Sequence, residues 1–175
     1  MTLRPMAEKA TPADLQAVSL QLGRSPRGVL GVAHRCECGL PDVVETTPKL
    51  PDGAPFPTLF YLTCSRLTSA VSTLEAEGVM AKMQQRLASD EELAGRYRVA
   101  HEQYLRRRDS LANVEEIAGI SAGGMPDRVK CLHVLVAHAL AAGPGVNPFG
   151  DEALAMLRDR GVLRSAPCVA IGTST

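Results

Sequence analysis

The order in which apolar runs and turn residues follow one another constrains this chain most. Three short apolar segments, at residues 28–35, 42–47 and 58–63, are separated by connections rich in glycine and proline. Segments of this length and spacing predict a small antiparallel meander. Helical patterns occupy most of the later chain, and strands followed by helices are typical of the α+β class. The sequence therefore predicts a small antiparallel sheet of three to four strands packed against a helical layer, with residues 166–172 as the candidate fourth strand.

Capping residues mark the boundaries of the predicted helices. Thr11 and Pro12 open the first helix, and the segment Ser89–Glu92 has the pattern of a capping box. The helices predicted in this way span residues 11–22, 65–77, 79–87, 90–112, 126–142 and 151–160. The helix over 126–142 is the most apolar, so we expect it to be buried. The helix over 90–112 has sparse apolar residues, so we expect His101 and the run Arg106–Arg108 on a solvated side.

Length and charge exclude several classes of protein. The chain of 175 residues fits a single domain, residues 1–175, with a core over about residues 11–172. Nineteen basic and nineteen acidic residues cancel, and aromatic residues make up only 3%, which argues against binding of nucleic acid. The first residues lack the apolar stretch of a signal peptide, and no apolar run reaches the roughly 20 residues that a membrane helix needs. We therefore expect a cytoplasmic protein that binds neither membranes nor nucleic acid.

Five cysteines are the most chemically suggestive feature of the chain. Thiols stay reduced in the cytosol, so these cysteines predict core, metal-binding or redox residues rather than a disulfide framework. Cys36 and Cys38 are two residues apart, and an extended segment would direct both side chains, with that of His34, to one side. Such a pair can hold one metal ion, although the C-x-C spacing is less diagnostic than C-x-x-C.

The other three cysteines lie in apolar stretches. Cys64 stands where a predicted strand meets a helix start, Cys131 in the first turns of the apolar helix, and Cys168 on the candidate fourth strand; thiols at helix N-termini are acidified. On a helix, Cys131 and His138 would lie about 10.5 Å apart along the axis. Metal–ligand bonds measure only about 2.0–2.3 Å, and His133 would point away from His138. We therefore expect Cys131 to be the only metal ligand from this helix.

The leading hypothesis is a site in which Cys38, Cys64 and Cys131 meet, with Cys36 or Cys168 assisting, around zinc or an iron–sulfur cluster. Two alternatives stay open. Free cysteine is among the most often buried residue types, so these cysteines can be structural. One of them can instead be a thiol nucleophile.

A candidate anion site follows the loop that contains Gly123 and Gly124. Asp127, Arg128 and Lys130 would lie in the first turn of the helix over 126–142, where free backbone N–H groups and two cations could hold a phosphate or a carboxylate. The alternative is a plain capped helix with solvated charges. The chain has no P-loop or dinucleotide-binding glycine pattern. In an enzyme, the metal would activate a small anionic molecule and these three residues would orient it.

Two long strings of residues resemble a known family. They are CECGLPDVVETTPKLPDGAPFPTLFYLTC at 36–64 and GGMPDRVKCLHVLVAHALAAGPGVNP at 123–148, joined by a helical stretch. They are similar to domain-of-unknown-function family 501 of uncharacterised bacterial proteins, over about residues 24–168. The resemblance implies no catalytic activity and no site residue. Similar proteins are often encoded beside a septum-formation-initiator-like protein and an exopolyphosphatase-like protein, which implies a role in cell-envelope or division housekeeping.

The alternative function comes from a different class of protein. A non-enzymatic interaction or structural protein would have inert cysteines and would dock a protein partner through the helix over 90–112. Metal content separates this alternative from a metalloenzyme.

Overall fold

The computed structural model describes residues 7–171 and has the α+β fold that the sequence predicts. Its helices are α1 (Pro12–Leu22), α2 (Ser65–Ala76), α3 (Val79–Ser89), α4 (Glu91–Leu111), α5 (Leu132–Ala142) and α6 (Pro148–Asp159). Its strands are β1 (Val29–Arg35), β2 (Pro41–Thr46) and β3 (Phe60–Leu62). A short 3₁₀ helix, Glu115–Ile117, follows α4. No helix within residues 7–171 is long and apolar enough to cross a bilayer.

The three strands form one antiparallel sheet in the order β1-β2-β3. β2 is the central strand and is buried along its whole length. Val43 of β2 pairs with Leu62 of β3, and Val44 pairs with Val32 of β1. The sequential pairing of neighbouring strands is the meander that the short connections predict.

The prediction of a fourth strand at residues 166–172 is wrong for the part that the structure describes. Residues 166–171 have no regular secondary structure, and Gly172 lies outside the described residues. A further strand must pair with a free sheet edge along its length. Here the segment instead crosses the start of α2, where the Ser65 hydroxyl donates to the carbonyl of Cys168 at 3.0 Å.

The core lies between the sheet and the helices, with α5 at its centre, as the apolar sequence of that helix predicts. Most residues of α5 are buried. Large, fully buried side chains from the surrounding segments are Leu59, Leu67, Leu74, Met83, Tyr97, Tyr104, Phe149 and Leu157. α6 crosses α5 at Gly150, where an added Cβ would lie 2.1 Å from the carbonyl oxygen of Leu135. Only glycine permits so close an approach of two helices.

The start of α5 differs from its prediction. The helix begins at Leu132 rather than at residue 126. The preceding segment turns back on itself, because the backbone N–H of Arg128 donates to the carbonyl of Gly124 at 2.9 Å and that of Lys130 to Gly123 at 2.8 Å. Proline at a helix start is a local preference, and here the turn after the two glycines overrides it.

The C-terminal half of α4 is less solvated than predicted. Arg106 is exposed, but Arg107 forms a two-bond ion pair with the buried Glu45 of β2, at 2.6 and 2.8 Å. Arg108 is buried, and its side chain is 1% exposed. His101 is half-buried and lies 2.8 Å from the hydroxyl of Ser121. The prediction of a solvated run is therefore wrong for two of the three arginines. Arg107 pairs with the buried Glu45, and Arg108 donates to the carbonyl of Ile117 in the loop after α4.

Candidate metal centre

The structure divides the five cysteines into two groups. Cys131 lies beside Glu75 and His133. Within residues 7–171, these three residues are the only candidate ligands whose ligand atoms all lie within 4.8 Å of one another. The other four cysteines neighbour each other near the turn between β1 and β2. The set Cys38, Cys64 and Cys131 preferred from the sequence therefore does not share one centre.

Three local features bring Glu75, Cys131 and His133 together. Glu75 lies in the last turn of α2, and its Oε1 accepts a hydrogen bond from the backbone N–H of Leu132 at 2.8 Å. The same oxygen lies 3.2 Å from Nδ1 of His133. Cys131 is the N-cap of α5 and has an extended backbone, with φ −152° and ψ 108°. Because it precedes the helix rather than belonging to it, its side chain can meet that of His133 two residues later.

The second nitrogen of His133 fixes the orientation of the ring. Nε2 lies 3.1 Å from the carbonyl oxygen of Thr68 and 3.3 Å from the hydroxyl of Ser72. A carbonyl oxygen only accepts, so Nε2 carries the hydrogen, and in the neutral ring Nδ1 presents its lone pair toward Glu75 and Cys131. Metal-binding histidines are commonly held in this way by a hydrogen bond to a backbone carbonyl.

Electrostatics favour a charged pair at this centre. Burial opposes ionisation of the Cys131 thiol, but His133 and the backbone N–H of Val134 outweigh burial and lower the pKa of Cys131 below its ordinary value. The Cys131 thiol is in turn the main cause that raises the pKa of His133 to about 9. The metal-free centre therefore holds an imidazolium ion at neutral pH, beside a Cys131 thiol that ionises more readily than an ordinary thiol and next to the Glu75 carboxylate.

A first prediction concerns the reactivity of these thiols. In metal-free protein, we expect Cys131 to react with iodoacetamide half-maximally at a pH below the ordinary thiol pKa of 9.0, because only the thiolate is nucleophilic. Cys64 should stay unmodified, because burial raises its pKa to about 12. Peptide mapping of each alkylated cysteine against pH measures both. Equal rates at Cys131 and Cys64 would contradict the electrostatic account.

The prediction that the anion site lies in the first turn of a helix is wrong. Asp127, Arg128 and Lys130 are all exposed and lie in the loop before α5, not in the first turn of a helix. The N-terminus of α5 is met by a carboxylate of the protein itself, that of Glu75. The three side chains remain beside the Cys131 centre in sequence, but they are not arranged around free helical N–H groups.

Sequence reasoning missed Glu75 and His133. Nothing local marks Glu75, because the chain reaches Cys131 only after two further helices and a loop. The predicted helix over 126–142 contains both Cys131 and His133, and two side chains two residues apart on a helix do not face each other. The helix boundary was the missing signal, since a cysteine in the N-cap position can meet a side chain two residues later.

His138 belongs to the core and not to the centre. It is fully buried, its Nε2 lies 2.7 Å from Oε1 of Gln103, and its Nδ1 lies 3.2 Å from the amide nitrogen of Asn147. Its ring also packs against those of Phe60 and Tyr104. It is not among the three residues whose ligand atoms lie together at Cys131.

Comparison with known proteins gives one match. A family model described as "Protein of unknown function (DUF501)" matches residues 32–155. The matched stretch runs from β1 into α6 and includes Glu75, Cys131 and His133. No curated protein and no solved structure matches the chain.

Proposed function

The chain belongs to the DUF501 family of proteins of unknown function, and on that premise we propose that it binds one thiophilic divalent metal ion through Glu75, Cys131 and His133. One observation supports the proposal above the others: a carboxylate oxygen, a thiol sulfur and an imidazole nitrogen lie within 4.8 Å of one another. The orientation of His133, with Nε2 toward the carbonyl of Thr68 at 3.1 Å, suits a ring that binds metal through Nδ1.

The donor set favours zinc over an iron–sulfur cluster. Sulfur, nitrogen and oxygen ligands together are typical of zinc sites, whereas iron–sulfur clusters are held mainly by several cysteine thiolates. Three protein ligands leave the fourth position of a tetrahedral ion for water or a substrate, as in catalytic zinc sites. A zinc ion held there would supply Lewis acidity to a bound oxygen.

The proposed substrate is a small anionic molecule, and Asp127, Arg128 and Lys130 would orient it. These side chains are exposed on the loop that leads directly into Cys131. The backbone of the loop is held from two helices: Oε1 of Gln84 accepts from the N–H of Val129 at 2.9 Å, and the Tyr97 hydroxyl donates to the carbonyl of Arg128 at 3.0 Å. A fixed loop with free cationic side chains is suited to positioning an anion. We place this activity in the cytoplasm, where thiol ligands stay reduced.

A thiol nucleophile is the second candidate function of the same three residues. The lowered pKa of Cys131 beside His133 favours it, because cysteine nucleophiles are commonly activated by an adjacent histidine. Metal binding decides between the two, since a tightly bound ion would occupy the sulfur.

The second prediction tests the metal centre. We expect His133→Ala, in full-length protein, to lower zinc affinity by more than about 100-fold, because loss of a ligand exceeds the roughly 10–100-fold cost of changing the groups around one. Glu75→Gln keeps an oxygen that can accept the hydrogen bond from the backbone N–H of Leu132. A lower zinc affinity of this variant would therefore report the loss of the carboxylate charge and not the loss of that hydrogen bond. Competition with a zinc chelator measures affinity, and zinc should also protect Cys131 from iodoacetamide.

The matched control is His101→Ala, a half-buried histidine on α4. It should bind zinc as the parent protein does. Equal zinc affinity of the His133→Ala variant and the parent would overturn the proposal. Rapid alkylation of Cys131 in zinc-saturated protein would then leave the thiol nucleophile as the better function.

A further inference from the structure

Four cysteines outside the Cys131 centre converge from distant parts of the chain. Cys36 and Cys38 lie in the connection between β1 and β2, Cys64 is the N-cap of α2, and Cys168 lies in the irregular segment after α6. All four are free thiols.

Hydrogen bonds fix Cys168 between the other three. The Ser65 hydroxyl, next to Cys64 in sequence, donates to the Cys168 carbonyl at 3.0 Å. The side-chain nitrogen of Gln21 on α1 donates to the Cys168 sulfur at 3.3 Å and to the carbonyl of Pro41 at 2.7 Å. Pro41 is the residue at which the connection with Cys36 and Cys38 enters β2. The C-terminal segment is therefore held at the place where the β1–β2 connection meets the start of α2.

The turn that carries Cys36 and Cys38 is tightly closed. The backbone N–H of Gly39 donates to the carbonyl of Cys36 at 2.8 Å, and the N–H of Cys36 donates to the carbonyl of Leu40 at 2.9 Å. Gly39 has a φ of 86°, which favours glycine. The turn presents two sulfurs, and both are only partly exposed.

The surroundings of Cys36 and Cys64 oppose thiolates in the metal-free protein, and nearby backbone N–H groups offset only part of that effect. Backbone N–H groups of Cys38, Leu40 and Leu67 are directed at the sulfurs of Cys36, Cys38 and Cys64 respectively, and hydrogen bonds to a charged group stabilise it. Burial is nevertheless the largest influence on Cys36 and Cys64, and with neighbouring thiols it raises their pKa values to about 11 and about 12. A divalent cation would reverse this, because a coordinating thiol is deprotonated by the ion.

We propose that Cys36, Cys38, Cys64 and Cys168 form a second, closed zinc site that fastens the C-terminal segment to the sheet and to α2. Four sulfur ligands around one ion are typical of structural zinc. In the structure, no three of these sulfurs lie within 4.8 Å of one another. Tetrahedral zinc with bonds of about 2.3 Å needs sulfurs about 3.8 Å apart. The cysteine side chains would have to turn about χ1 to close the set, since the backbone around Cys168 is held by hydrogen bonds.

The second site is independent of the Cys131 centre and of the proposed activity. It shares no residue with Glu75, Cys131 or His133. Cys168 also lies beyond residues 32–155, which the family model matches. The proposal therefore concerns this chain rather than the family.

Titration with cobalt and zinc tests the second site. The parent is full-length, reduced, metal-stripped protein that carries Cys131→Ser and His133→Ala. These two substitutions remove the Cys131 centre. We expect this parent to bind one Co²⁺ with the absorption of a tetrahedral tetrathiolate, and Zn²⁺ to displace it. Adding Cys38→Ser or Cys168→Ser should weaken Zn²⁺ binding by more than about 100-fold, since even groups around a ligand contribute about 10–100-fold. Because the parent already carries Cys131→Ser and should still bind the ion, the loss of a cysteine as such would not explain weaker binding in the added variants.

Trypsin cleavage after the exposed Arg164 provides a second readout that needs no spectrum. Zn²⁺ should slow this cleavage at least tenfold in the parent and not in the Cys168→Ser variant, because only the parent ties the segment down. Failure of the parent to bind an ion, or equal affinity in the Cys168→Ser variant, would overturn the proposal. So would a disulfide between two of these cysteines that persists under the reducing conditions of the titration, or iron bound with inorganic sulfide in the purified parent. None of these results depends on the Glu75–Cys131–His133 centre, which the parent lacks.

Discussion

Replacing Arg108 with alanine should lower the free energy of unfolding by about 3 kcal/mol, from lost hydrogen bonds and a new cavity. The side chain is 1% exposed. Its guanidinium donates to the carbonyl of Ile117 at 2.8 Å and also to the carbonyl of Ile120. Alanine would leave the carbonyl of Ile117 with only the backbone N–H of Ile120, at 3.1 Å, as a donor and would empty the space that the long side chain fills.

The control for this variant is Arg106→Ala, in the same run of three arginines. The side chain of Arg106 is 62% exposed and lies 3.9 Å from Glu102 one turn earlier. An exposed substitution of this kind should change stability by less than about 0.5 kcal/mol. Urea unfolding of both variants at one pH measures the difference. A difference between them of less than about 1 kcal/mol would show that Arg108 does not support the loop after α4.

Acidification should destabilise the protein through His138, by roughly 2 kcal/mol between pH 6.5 and 4.5. Burial lowers the pKa of His138 from 6.5 to about 3. In the unfolded chain this histidine takes up a proton near pH 6.5, whereas in the folded protein it stays neutral until about pH 3. Below pH 6.5 the unfolded state therefore binds more protons, and the free energy of unfolding falls as pH falls. Above pH 6.5 the group contributes no pH dependence.

The contacts of His138 explain why its ring does not take up a second proton in the folded protein. Nε2 donates to Oε1 of Gln103, and Nδ1 accepts from the amide nitrogen of Asn147. A second ring proton would face the N–H of Asn147 inside the core and lose that bond. Burial lowers the pKa of His101 as well, so the total slope belongs to both histidines.

Urea unfolding of the parent and of His138→Gln across this pH range separates the two contributions. The variant should be less stable at pH 7. Below pH 6.5 its free energy of unfolding should fall less steeply than that of the parent, by about 1.4 kcal/mol per pH unit. The imidazole signals of His138 in NMR provide a direct check and should not titrate above pH 4.5. Titration of that ring near pH 6.5 would contradict the prediction.

Much of the fold could be predicted because its signals are local. Thr11 and Asp14 form the capping box at α1, and the Asp90 side chain accepts from the N–H of Leu93 at the start of α4. Glycine at positive φ ends α1 at Gly23. Each of these bonds joins residues close in sequence, so the residue types alone indicate where an element begins or ends.

The candidate sites could be predicted only as residue types, because their grouping is a long-range property. The sequence predicts cysteine chemistry in a reducing compartment. It does not predict the partners of Cys131, since Glu75 contacts it from α2 and His133 required the true start of α5. The sequence predicts Cys168 on a strand, whereas in the structure it lies in an irregular segment beside Gln21 and Ser65.

By itself the sequence determined the α+β class, the sheet order and four of the six helices to within two residues at each end, because hydrophobic period and capping act over one or two turns. It also predicted the five cysteines as the residues best suited to chemistry. The tertiary structure alone decided that the cysteines separate into two groups and that Arg108 lies inside. Those outcomes depend on which distant segments share the interior, where each buried polar group must find a partner that no nearby residue supplies.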